Sequence, residues 1–279
     1  MWRLLALVFM LFALGEAAWA QWSEDAQKCA EHAQTNPDLA LQYCSRAIQS
    51  GQLSTGNLAG TFYNRGNAYG RKGDYDRAIQ DYDQAIRLNP NYANAFNNRG
   101  NAYRNKQDYD RALADYEAAA RIDPKVARHR SMGHSLFYLG RIVESAKVME
   151  QAVKAAPQDM YAIFWRYMAQ AKSGDVQVAS REFGENAAQL KESGWPAPVI
   201  DFYVGKIEEK AMYAAAENPD LKKNGEQLCE ANFYTAEAKL LKGATEEAIP
   251  LLRAAEEDCP PTFYEAHGAR AELKQLGQR

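Results

Sequence analysis

Histidine, cysteine and asparagine are the residue types from which chemistry would have to be built in this chain of 279 residues, which carries four histidines and four cysteines. His129 and His134 stand five apart, whereas neighbours on one helical face fall three or four apart, so they read as solvent or packing residues rather than metal ligands. His32 and His267 lie far from them and from each other. The chain holds no Gly-x-Ser-x-Gly elbow, no His-Glu-x-x-His zinc helix and no phosphate loop ending in Gly-Lys-Ser/Thr. Its aspartates, among them Asp74, Asp76, Asp108 and Asp110, suit helix caps and solvated faces rather than paired acid-base work. These observations predict no catalytic residue, no metal and no cofactor, hence no enzyme. Asparagines remain, and they recur at matched places. A side-chain amide offers both donors and an acceptor, which lets it hold an extended peptide backbone whatever that peptide's sequence.

Composition limits what the elements around these residues are. With 33 Lys+Arg against 36 Asp+Glu the net charge is -3, which supplies no positive field for phosphate, so nucleic acid is excluded as a partner. The hydrophobic fraction of 47% sits beside a mean hydropathy of -0.54 because 48 residues are alanine, which points to closely packed helices. Met1 to Ala20 has a basic start at Arg3, an apolar run from Leu4 to Leu14 and the ending Ala18-Trp19-Ala20, the three parts of a secretory signal. The alternative, a retained anchor, needs about 20 apolar residues, and this run is about half of that. Cleavage after Ala20 would leave Gln21 first, no cysteine stands there to carry a lipid, and no later stretch reads as a membrane span.

A period of 34 residues organises most of the remaining chain. Phe62-Tyr63-Asn64-Arg65-Gly66-Asn67-Ala68-Tyr69 aligns with Phe96-Asn97-Asn98-Arg99-Gly100-Asn101-Ala102-Tyr103, and Asp74-Tyr75-Asp76-Arg77-Ala78 with Asp108-Tyr109-Asp110-Arg111-Ala112. Pro90 matches Pro124, and a third copy comes next with Gly133, Gly140, Ala152 and Pro157. Such a period marks a repeat array, and this one resembles the tetratricopeptide repeat (TPR). Gly66, Gly100 and Gly133 fall mid-helix, where glycine costs about 1 kcal/mol relative to alanine, so close helix approach opposite Ala78 and Ala112 is expected, with Tyr69, Tyr82, Tyr103 and Tyr116 beside the contact. The turn Gly73-Asp74 gives a helix stop and an N-cap, and Pro90 or Pro124 ends the second helix. Each unit is then a helical hairpin that must stack on its neighbours, so the fold class is all-α, a TPR-type α-solenoid with a C-terminal capping helix.

The expected organisation is a signal peptide over 1–20, a shortened hairpin over 21–58 and three repeats over 59–158 (59–92, 93–125, 126–158). Degenerate TPR-like helices occupy 159–227, with the polar stretch Glu217 to Gly225 as a loop, then a hairpin and a charged capping helix over 228–279. In an antiparallel hairpin, residues equidistant from the turn face each other. Cys29 and Cys44 centre on the Asn36-Pro37 turn, and Cys229 and Cys259 centre beside Gly243, which selects these two disulfides from three connectivities; four free buried thiols are the alternative.

In TPR proteins the first helix of each pair lines the concave face. The resemblance therefore implies a peptide- or protein-binding groove at Tyr63, Asn64, Asn67, Arg71, Asn97, Asn98, Asn101, Asn105, Arg130 and His134. Its asparagines are similar to the ladders of peptide-binding members, although no lysine stands beside Asn67 for a carboxylate clamp, and Asn64 and Asn98 could instead tie neighbouring hairpins. Trp195, Ile200 to Glu209, Glu230-Ala231-Asn232-Phe233-Tyr234, Phe263 to His267 and Ala271-Glu272-Leu273 resemble the end of the NlpI type of envelope TPR lipoprotein. That resemblance implies a non-catalytic periplasmic scaffold, homodimeric in the family, that brings peptidoglycan hydrolases together with a processing protease. Without the lipid-bearing cysteine this chain looks like a soluble relative. The alternative is a holdase-like chaperone for exported proteins, for which an apolar groove would argue.

Overall fold

A computed structural model describes residues 24–126, 128–191 and 194–278, so the signal-peptide expectation lies outside the described residues. Among them there are helices and turns and no strand. The chain divides into a first unit up to residue 127 and a second from residue 128.

The first unit is a run of antiparallel helices: α1 (24–32), α2 (Pro37–Gln49), α3 (Thr55–Arg71), α4 (Tyr75–Leu88), α5 (Ala93–Asn105) and α6 (Tyr109–Ile122), closed by a 3-10 turn at Pro124–Val126. Local chemistry sets the boundaries. The side chains of Asn36, Ser54, Asp74 and Asp108 accept the N–H of Leu39, Asn57, Arg77 and Arg111, satisfying donors that the first turn leaves open. The turn between α3 and α4 uses Gly73 at φ 77°, and its copy one period on uses Gln107 at φ 64°, a side chain carried into the left-handed region by the repeat geometry.

The alanine excess goes into helix contacts: Ala40, Ala47, Ala68, Ala78, Ala85, Ala95, Ala112 and Ala119 have no exposed surface. The partner of the mid-helix glycines differs from the expectation. A Cβ on Gly66 would stand 2.7 Å from Tyr82 Cε1, and one on Gly100 2.9 Å from Tyr116 Cε1. The second-helix tyrosine therefore lies on the glycine itself, because a flat ring fills the notch that a missing side chain leaves, and at Gly100 the expected approach of Ala112 is also present, its carbonyl oxygen 3.1 Å from the built Cβ. Beside each notch an arginine locks the pair: Arg65 forks onto Asp81 at 2.7 and 2.8 Å, and Arg99 onto Asp115 at 2.8 and 2.7 Å. Cys29 and Cys44 stand at disulfide distance, S–S 2.14 Å, joining α1 to α2.

The second unit contains α7 (His129–Tyr138), α8 (Ile142–Ala155), α9 (Met160–Lys172), α10 (Val176–Ala187), α11 (Ala197–Tyr203), α12 (Glu209–Ala216), α13 (Leu221–Leu241), α14 (Thr245–Asp258) and α15 (Tyr264–Gln275). Gly133 repeats the notch with Met149 in it, the built Cβ 2.7 Å from the methionine side chain. In α9–α10 the glycine position carries Tyr167 against Phe183, ring centroids 4.8 Å apart, while the lock survives as Arg166 on Glu182. The stretch expected as a polar loop over 217–225 is loop only to Asp220, whose carboxylate caps Lys222 and Lys223 and starts α13. Cys229 and Cys259 stand at disulfide distance, S–S 2.24 Å.

The last helix closes this unit from the inside. Besides α14, α15 packs on α13 and α7; Tyr138 donates its hydroxyl to the Tyr264 carbonyl at 2.9 Å, and Tyr264 and Ser131 hydroxyls meet at 3.2 Å. Gly268 makes room here, since a Cβ on it would stand 2.7 Å from Phe233 and 2.9 Å from Trp165. The charged face expected to meet water turns inward, with Glu265 and Glu272 4% and 3% exposed.

Candidate functional site

The first helices of the hairpins in the first unit present one polar face. The period puts Asn64, Asn67 and Arg71 of α3 in register with Asn98, Asn101 and Asn105 of α5, and on each helix these residues recur at three and four positions, one stripe of surface.

Two hollows lie along it. One of about 220 Å³ is lined by Gln34, Asn67, Arg71, Tyr75, Asn101 and Asn105, among others. The second, about 650 Å³, lies between α1 and α3, where Gln27, Gln52, Asn57 and Asn64 stand around the small residues Ala26, Ala30, Gly56 and Gly60. Among the described residues no packing neighbour comes within 4 Å of a Cβ built on Gly56 or Gly60, so these glycines leave open space where Gly66 and Gly100 hold a ring.

Hydrogen bonding sorts the asparagines into two kinds. Asn98 Nδ2 donates to Asn67 Oδ1 at 2.7 Å and to the Tyr63 hydroxyl at 3.1 Å, and the Tyr82 hydroxyl donates to Asn67 Oδ1 at 2.9 Å. Asn67 thus has its acceptor filled twice over, and Asn98 ties α5 to α3, the structural role that the sequence left open for it. Tyr116 donates to Asn101 at 2.8 Å and Arg104 to Asn105 at 3.1 Å. Burial raises the Tyr82 hydroxyl well above the phenol range, and it pushes Tyr92, packed on Tyr63 with ring centroids 4.9 Å apart, up to about 12, so both stay protonated donors at neutral pH. Among the described residues Asn64 and Arg71 make no side-chain hydrogen bond or ion pair, and Arg71 is exposed. They are among the groups of this face left to bind something else.

Three expected residues fall outside it. Asn97 is 1% exposed and belongs to the interior. Arg130 is in the second unit, paired with Asp159 at 2.8 Å. His134, also in the second unit, is fully buried, 3.9 Å from the Tyr264 ring and 4.4 Å from that of Trp165 between centroids, which makes it a packing residue. Conversely, Gln27, Gln34, Gln52 and Asn57 join the face without having been singled out, because they lie outside the best-matched part of the period. Among the described residues no group of three or more His, Cys, Asp or Glu is placed to hold a metal ion, and no helix is long and apolar enough to cross a membrane.

Residues 63–127 match the family model of the tetratricopeptide repeat. That span carries tetratricopeptide repeats, and the chain resembles the NlpI type. A lipoprotein NlpI homolog from Haemophilus influenzae is 28% identical over 247 residues, covering 86% of this chain and 77% of that protein. Among solved structures, a tetratricopeptide repeat protein from Parabacteroides merdae matches 91% of this chain and 99% of its own with a TM-score of 0.61 at 15% identity. MamA from Desulfovibrio magneticus RS-1, from residue 41 to its end, matches 60% of this chain and 92% of its own, with a TM-score of 0.52 at 21% identity. At these identities the two structures speak for the fold, an all-α solenoid. The repeats and the NlpI relative together support a protein-binding scaffold.

Proposed function

We propose that this chain is a non-catalytic adaptor of the bacterial periplasm, holding extended segments of protein partners on the amide-lined face of α1, α3 and α5. The observation that carries this reading is the pair Asn64 and Arg71, both unengaged among the described residues and each beside a hollow on one continuous polar stripe. Amides fixed on helices offer donors and acceptors to a peptide backbone at little cost in ordering, and Arg71 adds a cation for a partner's carboxylate. An apolar face would suit a holdase, but the exposed large apolar side chains among the described residues, Val143, Val176 and Leu221, lie elsewhere.

The proposal extends to location and partners. Two disulfides suit an oxidising compartment, and the relative from Haemophilus influenzae is a lipoprotein. On this reading the segment 1–20 directs export and is removed after Ala20, the mature chain is a soluble periplasmic member of the NlpI type, and its partners are peptidoglycan hydrolases and a processing protease, bound by a homodimer.

The test is capture of partners from envelope extracts by the mature protein. Combining Asn64→Ala and Arg71→Ala should lower the affinity of a captured partner at least tenfold, the loss of one neutral and one charge-assisted hydrogen bond, with the melting temperature unchanged. Asn98→Ala should lower both. A few stoichiometric partners fit the adaptor; a broad set of unfolded clients, or capture indifferent to Asn64 and Arg71, would overturn it.

A further inference from the structure

The interface between α13 and α15 carries four carboxylates out of water. Glu230 and Glu237 lie two turns apart on α13, and Glu265 and Glu272 lie two turns apart on α15; their exposures are 6%, 0%, 4% and 3%. The residues that face them are few. Glu230 accepts the Trp195 indole N–H at 2.8 Å and the Tyr161 hydroxyl of α9 at 3.1 Å, and Glu265 accepts the Tyr234 hydroxyl at 2.7 Å. Lys172 of α9 is held between Glu237 at 3.1 Å and Glu272 at 3.0 Å. Glu226 of α13 and Tyr203 of α11 are further titratable neighbours, His267 packs on Tyr138 from within α15, and Arg130 of α7, which pairs with Asp159, also faces Glu265 and favours its charge.

One buried lysine, with an arginine shared with Asp159, cannot neutralise four carboxylates in a dry interface, so part of the set must hold protons for α15 to stay docked. Burial first, and the facing carboxylate second, push Glu230 and Glu237 each up to about 8; burial likewise raises Glu265. Lys172 keeps its charge, raised by Glu237 and Glu272 against its own burial. Beneath α15 lies an aromatic floor, where Trp165 stacks on Phe233 at 5.4 Å and meets Tyr138 edge-on at 5.9 Å.

We propose that the contact of α15 with α13 and α7 is a proton-operated latch: as pH rises the buried carboxylates ionise, repel one another, and let α15 leave the aromatic floor of the second unit. The disulfide at Cys259, five residues before Tyr264, keeps the released helix tethered to α13. The latch is a device of the second unit and is independent of the amide-lined face.

Hydrogen exchange on the full mature chain tests it. After correction for intrinsic rates, amides of α15 should lose protection at least tenfold between pH 6 and pH 9 while those of α3 to α6 keep theirs. In the double variant Glu230→Gln, Glu237→Gln, α15 should keep its pH 6 protection at pH 9. Unchanged protection in the wild type, an equal loss in the double variant, or simultaneous loss across α3 to α6 overturns the latch. Should the variant fail to fold, the indole N–H resonance of Trp195 in the wild type decides: it should titrate with a midpoint between pH 7 and 9, and a flat response counts against the proposal.

Discussion

Helix α3 contains glycines of two kinds, and chemistry alone does not separate them. Gly66 is required by its neighbour: an added methyl would enter the Tyr82 ring, so Gly66→Ala should destabilise by about 1–3 kcal/mol in thermal unfolding. A Cβ on Gly60 meets no packing neighbour within 4 Å among the described residues, and Gly60→Ala should stabilise by up to about 1 kcal/mol, the helix-propensity difference. Comparing the two melting temperatures tests the assignment of the notch. The repeat made Gly66, Gly100 and Gly133 legible, since each recurs at its period. Gly268 has no such copy around it, so only the packing of Phe233 and Trp165 over it reveals the same role. Buried glutamates are hidden for another reason: a carboxylate in a helix is by default a surface residue, and the hint that Glu230 and Glu265 share a site lies only in their spacing of about one repeat length.

Between elements, the locks and staples carry more than the caps. Asp81 is 4% exposed and its charge is met by Arg65, so Arg65→Met leaves a buried carboxylate without its cation and should cost about 3 kcal/mol in urea denaturation. Replacing Asp74, which only caps α4 and meets Arg77 at the surface, should lower the urea midpoint by clearly less. The bond between Cys29 and Cys44 closes a loop of 15 residues and constrains the unfolded chain. In the chain-entropy model its reduction costs about 3 kcal/mol, to be checked by denaturation with and without reductant. Hairpins and their cysteine pairs were readable because a turn fixes which residues face each other; the boundary of α13 was not, because Asp220 turns a polar stretch into a helix start.

For the whole chain, the strongest pH dependence should come from the second unit. Glu230 and Glu237 bind protons more tightly folded than unfolded, so the stability they contribute is full below the ordinary glutamate range and is lost as pH rises toward about 8. Urea midpoints should therefore fall from pH 5 to pH 8, and Glu230→Gln with Glu237→Gln should flatten that fall.

The repeat pattern by itself determined the helical hairpins, their glycine notches, their turns and the pairing of their cysteines, because each is set by spacing within about one period. Tertiary structure alone decided which asparagines are spent inside the protein and which, like Asn64, stay open, because that depends on hydroxyls one helix away. It also decided that α15 turns its glutamates inward, since their burial is set by α13, α9 and α7 rather than by the helix that carries them.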